Sequence, residues 1–149
     1  MKKILVSACL LGVSCRYDGR SKPCAAVDAL KDRYQLIPVC PEVMGGLETP
    51  RIPSELKDGR AIRKDGTDIT EKCIKGANET LGLAKKFGCT AAVLKERSPS
   101  CGSGSIYDGT FTGRTVSGDG TAAALLKKNG IRVFGESELV KLEEFLKTE

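Results

Sequence analysis

The sequence has no histidine and no tryptophan. Without histidine there can be no Ser-His-Asp triad, no Cys-His dyad and no histidine-containing metal site. Aromatic residues make up only 5% of the chain, which disfavours the stacking platforms that hold single-stranded nucleic acid. No stretch approaches the roughly 20 apolar residues of a membrane span. The apolar run at the start, Lys3–Ser7, is too short and wrongly flanked for a secretory leader. It reads as a strand, and the protein as cytoplasmic. Charge never gathers into a block. The 24 basic and 19 acidic residues leave a net +5, dispersed as on an ordinary solvated surface, so nucleic acid is not expected as a partner.

Against these absences stand seven cysteines: Cys9, Cys15, Cys24, Cys40, Cys73, Cys89 and Cys101. In a chain without a leader they point to metal, redox chemistry or core packing before disulfides. Arg16, Arg51, Arg97 and Arg114 lie near cysteines or in glycine-rich loops, where positive potential favours thiolates or a bound anion. At 149 residues the chain has the length of one domain, with enough bulk to bury a core unaided by disulfides.

Strand and helix patterns alternate along it. Lys3–Ser7 is followed by a helix over Ala25–Arg33, with Val27 and Leu30 on one face. Gln35–Val39 is the next strand, ended by Cys40-Pro41 because proline cannot donate to a ladder. Glu55 to Asp65 alternates around Asp58-Gly59 and Asp65-Gly66, the pattern of a small hairpin. Asp68 opens a long helix with Glu71 as its capping-box partner and Ile74, Ala77, Leu81 and Ala84 at helical spacing. Thr90–Leu94 is a further strand, and Glu96 to Gly120 reads as one long loop. Thr121–Lys128 is a helix stopped by Asn129-Gly130. Ile131–Phe134 is the last strand, and Ser137 caps a closing helix carrying Leu139, Leu142 and Leu146. The expected fold is Rossmann-like α/β: a mostly parallel sheet, helices on both faces and a small hairpin insertion.

In such sheets ligands bind beyond the carboxyl ends of the strands. Cys9 follows the first strand, Cys40 ends the second, and Cys101 lies in the loop after Leu94, so all three belong to that edge. No CxxC pair is present, which removes the usual signature of zinc ribbons and thioredoxin-type sites. Three thiolates are one short of a closed zinc or iron–sulfur site, and a cluster held by three keeps one iron open. Cys15 lies in the first of these loops and competes as a fourth ligand. Cys73 and Cys89 read as core residues, and Cys24 as structural. Glu42, two residues after Cys40, can move protons if a metal lies beside it. Ser98 and Ser100 either cap the turn before Cys101 or bond a ligand. Gly118-Asp119-Gly120 at a helix entry can cradle an anion.

Four segments resemble the thiouracil desulfidase family: SACLLGVSCRYDG at 7–19, PVCPEVMGGLETPRIPSE at 38–55, LKERSPSCGSGSIYDGTFTG at 94–113 and GDGTAAALLKKNGI at 118–131. The resemblance spans nearly the whole chain, 1–149. It implies a Rossmann-like domain with a 4Fe-4S cluster on Cys9, Cys40 and Cys101, and Glu42 and Ser98 at the acid/base and hydrogen-bonding positions. It also implies a non-redox reaction in which water replaces the sulfur of a thiolated pyrimidine, a small-molecule partner; Ser100 is a further candidate substrate contact. Two other readings are a structural zinc protein completed by Cys15 and a metal-free thiol or persulfide carrier.

Overall fold

In the computed structural model, which describes residues 1–149, four short parallel strands form the centre. They are β1 (Lys3–Ser7), β2 (Gln35–Val39), β5 (Ala91–Leu94) and β8 (Arg132–Gly135), ordered β2-β1-β5-β8. Their side chains alternate between two cores, as a pleated strand requires. Ile4, Val6, Ala91 and Val93 face α1 (Ala25–Asp28) and α5 (Leu139–Thr148), where Val27, Leu142 and Leu146 meet them. Leu5, Val39, Ala92 and Leu94 face α3 (Thr70–Phe87) and α4 (Thr121–Lys128), against Ala84, Ala123 and Leu126. The Rossmann-like expectation is met, with helices on both faces.

Two antiparallel hairpins sit outside this frame. One is β3 (Ser54–Lys57) with β4 (Arg60–Arg63), which matches the expected insertion. The other, β6 (Ser105–Tyr107) with β7 (Thr115–Ser117), falls inside the stretch read as a long loop. Its strands are three residues each, too short for alternation to stand out among the glycines and serines.

Other departures are local. The helix expected over Ala25–Arg33 is one α-turn followed by a 3-10 turn over Ala29–Asp32. The long helix begins at Thr70, not Asp68, and Glu71 makes no reciprocal capping bond; the Asp68 carboxylate alone accepts the Thr70 N–H at 2.9 Å. Its buried face carries Cys73, Ala77, Thr80 and Ala84, while Ile74 is half exposed. At the last helix Ser137 does not cap. The Glu138 side chain instead accepts the Gly135 N–H at 2.9 Å. No helix is long and apolar enough to cross a membrane.

Between β2 and α3 a short helix, α2 (Pro41–Met44), crosses α3 at very close range. A Cβ on Gly76 would stand 1.8 Å from the Pro41 carbonyl oxygen, and one on Gly45 would stand 2.0 Å from that of Lys72. Only glycine at both positions lets the two backbones touch. That contact fixes the segment carrying Cys40 and Glu42.

Candidate active site

In the order β2-β1-β5-β8 the chain leaves β1 toward one edge and later returns to build the other, so the switch point lies between β1 and β5. A cleft of about 380 Å³ opens at the carboxyl ends of these strands, within the usual range for small-molecule sites. Its lining includes Cys9, Cys15, Cys40, Cys101, Glu42 and Ser98. Five of the six proposed site residues therefore meet there. The sixth, Ser100, does not line the cleft. It is 1% exposed, its hydroxyl has no partner within full hydrogen-bonding geometry, and it lies against the buried Cys73 thiol.

Each thiol is set by its own backbone device. Cys9 lies on a 3-10 turn, Ala8–Leu11, that continues β1, and its carbonyl takes the Lys22 N–H at 2.9 Å. Cys40 is the extended residue before α2, and its thiol points to the Cys15 carbonyl at 3.7 Å. Cys101 sits in a turn closed by Ser98, whose Oγ accepts the N–H groups of Ser100 and Cys101, each at 3.1 Å. This turn rests on α4. The Thr121 N–H donates to Pro99, and those of Ala122 and Ala123 donate to the Ser100 carbonyl. The expected anion cradle at Gly118–Gly120 is thus already occupied by protein carbonyls, and Asp119 is spent on the Gly104 N–H and Lys127.

No disulfide joins any of the seven cysteines. Burial pushes the Cys101 thiol up to about 12. Contact with the Cys15 thiol, then burial, drives Cys40 well above the ordinary thiol range. Cys15 bonds to Cys40 in the sense that lowers its pKa, but contact with Cys9 and burial outweigh this and raise it. No group of three or more Cys, Asp or Glu side chains is arranged as a ready-made single-metal site. What remains is a spread of soft donors round one floor, a set suited to a larger thiolate-bound centre.

The polar groups are equally constrained. Glu42 Oε1 accepts Arg51 Nε at 3.0 Å, and both side chains are largely buried. Arg51 also donates to the carbonyls of Cys15 and Glu48 and to Thr49 Oγ1, so one guanidinium ties Glu42 to the Cys15 loop. Glu42 Oε2 has no protein partner. A hydroxyl has two acceptor positions and one donor; with both acceptor positions of Ser98 filled by N–H groups, its free capacity is donation. Ser7, a buried residue ending β1, donates to Cys101 Sγ at 3.3 Å and accepts the Lys95 N–H at 2.8 Å. Neither its role nor the acceptor set of Arg51 was readable from spacing.

A cleft lined by thiols, a paired carboxylate and a hydroxyl, at the switch point of a parallel sheet, lies where α/β enzymes bind their ligands. The chain belongs to the 2-thiouracil desulfurase family, whose model matches residues 4–138. It is 44% identical over 146 residues to the uncharacterized protein YbbK of Bacillus subtilis (strain 168), covering 91% of this chain and 97% of that one. It also superimposes, with a TM-score of 0.92 and 45% identity over the whole of both chains, on a solved structure of the 4Fe-4S-dependent thiouracil desulfidase TudS. Its class is that of a carbon–sulfur bond-cleaving enzyme.

Proposed function

We propose that this protein hydrolyses the thione of a thiolated pyrimidine such as 2-thiouracil or 4-thiouracil, giving the oxo-pyrimidine and sulfide without net redox change. Cys9, Cys40 and Cys101 are the residues that would hold a 4Fe-4S cluster. The observation carrying this reading is that loops after three parallel strands bring soft thiol donors to one cleft beside Glu42 and Ser98. When bound, a cluster on three thiolates supplies an open, soft iron that prefers the thione sulfur to oxygen and acts on it as a Lewis acid.

The chain's own groups do the rest. Glu42, with Oε1 anchored by Arg51, has Oε2 free to take the proton of the attacking water. Ser98 donates its O–H to a ring acceptor and holds the heterocycle in place. Ser7 bonds to the Cys101 sulfur, the kind of contact that orients a ligand and tunes a thiolate-bound metal.

The test is anaerobic purification or reconstitution, with iron and acid-labile sulfide measured on the sample used for assay. A brown protein that consumes the thione absorbance and releases one sulfide per uracil is the expected result. A fully loaded protein inert toward both thiouracils, or a colourless one holding stoichiometric zinc, would overturn the reading.

A further inference from the structure

The chain has three tyrosines and four phenylalanines. Four of these aromatics pack into the two cores: Tyr34, Phe87, Phe134 and Phe145. The remaining three, Tyr17, Tyr107 and Phe111, all line the cleft. Tyr107 ends β6 and Phe111 lies in the tip between β6 and β7, so the second hairpin brings two rings to a site whose floor is thiol.

That tip is held in an unusual way. Phe111 has φ +58, the left-handed region that a residue with a bulky side chain seldom enters. The Gly109 and Phe111 N–H groups both donate to Glu55 Oε1, at 2.9 and 3.1 Å. Glu55 belongs to β3 in the other hairpin and is buried. The docking is close: a Cβ on Gly109 would lie 2.8 Å from the Lys57 Cβ. A buried carboxylate is costly unless its bonds are satisfied. Here it is spent on the backbone of Gly109–Phe111, a segment whose one large side chain lines the cleft.

We propose that Phe111 and Tyr107 form the stacking surface for a planar heterocycle, and that Glu55 is the positioning residue that fixes it. This rests on the reading of a pyrimidine substrate and adds what selects the ring. Stacking recognises the π-face and tolerates ring substituents, and rewards planarity. The cleft therefore selects flat, unsaturated rings over puckered ones, independently of the sulfur.

The experiment uses the loaded enzyme and measures binding as well as turnover. Anaerobic calorimetric titration compares uracil with 5,6-dihydrouracil, whose saturated C5–C6 bond puckers the ring. Uracil should bind the natural protein at least tenfold more tightly, and Phe111→Ala should erase most of that preference. In assays with 4-thiouracil, Phe111→Ala should raise KM about tenfold while kcat falls much less, and Phe111→Tyr should restore KM. Glu55→Ala should reproduce the KM defect with every cleft side chain except its own intact. Iron content should match the natural protein in all three variants. Equal binding of the two rings, or an unchanged preference in Phe111→Ala, overturns the proposal. So does a loss of iron in Phe111→Ala that accounts for its defect, or a failure of any pyrimidine to bind. If uracil selectivity depends on Phe111 but no thione is consumed, the platform stands and the desulfuration falls.

Discussion

Glu42 and the cysteines flanking it differ in what their loss would remove. Glu42→Gln keeps an oxygen for the Arg51 hydrogen bond but cannot take a proton as a carboxylate does. Its iron content should therefore match the natural protein while turnover falls by about 10²-fold or more, the usual scale for a lost general base. Iron loss in that variant would make Glu42 structural. Replacing Cys9, Cys40 or Cys101 with Ala should abolish iron retention. Cys73→Ala, whose thiol is buried on α3 and pushed up to about 11 by burial, should keep iron and cost on the order of 1 kcal/mol. Retention of iron by Cys40→Ala would shift the ligand role toward Cys15. At this scale the sequence was most legible where chemistry and local motif coincide, as in Cys40-Pro41-Glu42. It was silent on Ser7, whose two partners lie 94 and 88 residues away and become neighbours only when β1 and β5 pair. For Ser100 it gave no placement: Ser98 and Ser100 alternate in one turn, and only the folded turn shows that Ser98 lines the cleft while Ser100 is buried beside α3.

The elements that carry these residues are held by a few unusual contacts. Gly76→Ala ordinarily helps a helix by up to about 1 kcal/mol. Here the added methyl would meet the Pro41 carbonyl at 1.8 Å, backbone against backbone, where no rotamer gives relief. Overpacking of about 1–3 kcal/mol or more wins, and α2 must move with Cys40 and Glu42. Chemical denaturation should show lower stability, and iron retention should fall as well; a variant as stable and as well loaded as the natural protein would refute the contact. The start of α3 offers a pH test. Asp68 accepts Arg60 Nε at 2.6 Å and the Thr70 N–H, and the arginine bond, then the threonine bonds, hold its carboxyl down at about 2. A depressed carboxyl contributes stability that is present above its unfolded pKa near 3.8 and is lost as pH falls through about 2. The stability gap between the natural protein and Asp68→Ala should thus stay level above about pH 5 and close between about pH 4 and 2, read from urea midpoints. The long, well-punctuated elements were legible because propensity and burial agree in them. The β6–β7 hairpin was not, since its order comes from Glu55 and from the bridge between Arg97 and Ile106, contacts that no local pattern encodes.

Across the whole molecule, stability comes chiefly from the apolar faces of the sheet, with the thiols of Cys9, Cys15 and Cys101 at the margin of those cores. The two main cores lie on either face of the sheet and are built chiefly from Ile, Leu, Val, Ala and Phe packed on α1, α3, α4 and α5. The thiol floor sits beyond the strand ends, on turns held by a few side-chain hydrogen bonds, such as those that Ser98 accepts and Arg51 donates. A small zinc finger is unfolded without its metal because the ligands are most of its core. Here the apolar cores exist without the cluster, so removing iron should leave the sheet and helices folded. What a cluster would add is a link between the loops after β1, β2 and β5, segments far apart in sequence. Anything that binds only the native arrangement raises its stability, and the gain is local where the bonds are local. Removal of iron by anaerobic chelation should therefore lower the melting temperature without loss of far-ultraviolet circular dichroism. Hydrogen exchange should speed up around Cys9–Cys15, Cys40–Glu42 and Ser98–Cys101, while Ile4–Val6 and Ala92–Leu94 keep their protection. Exchange rising uniformly through β1 and β5 would mean that the cluster, not the packed sheet, holds this fold together.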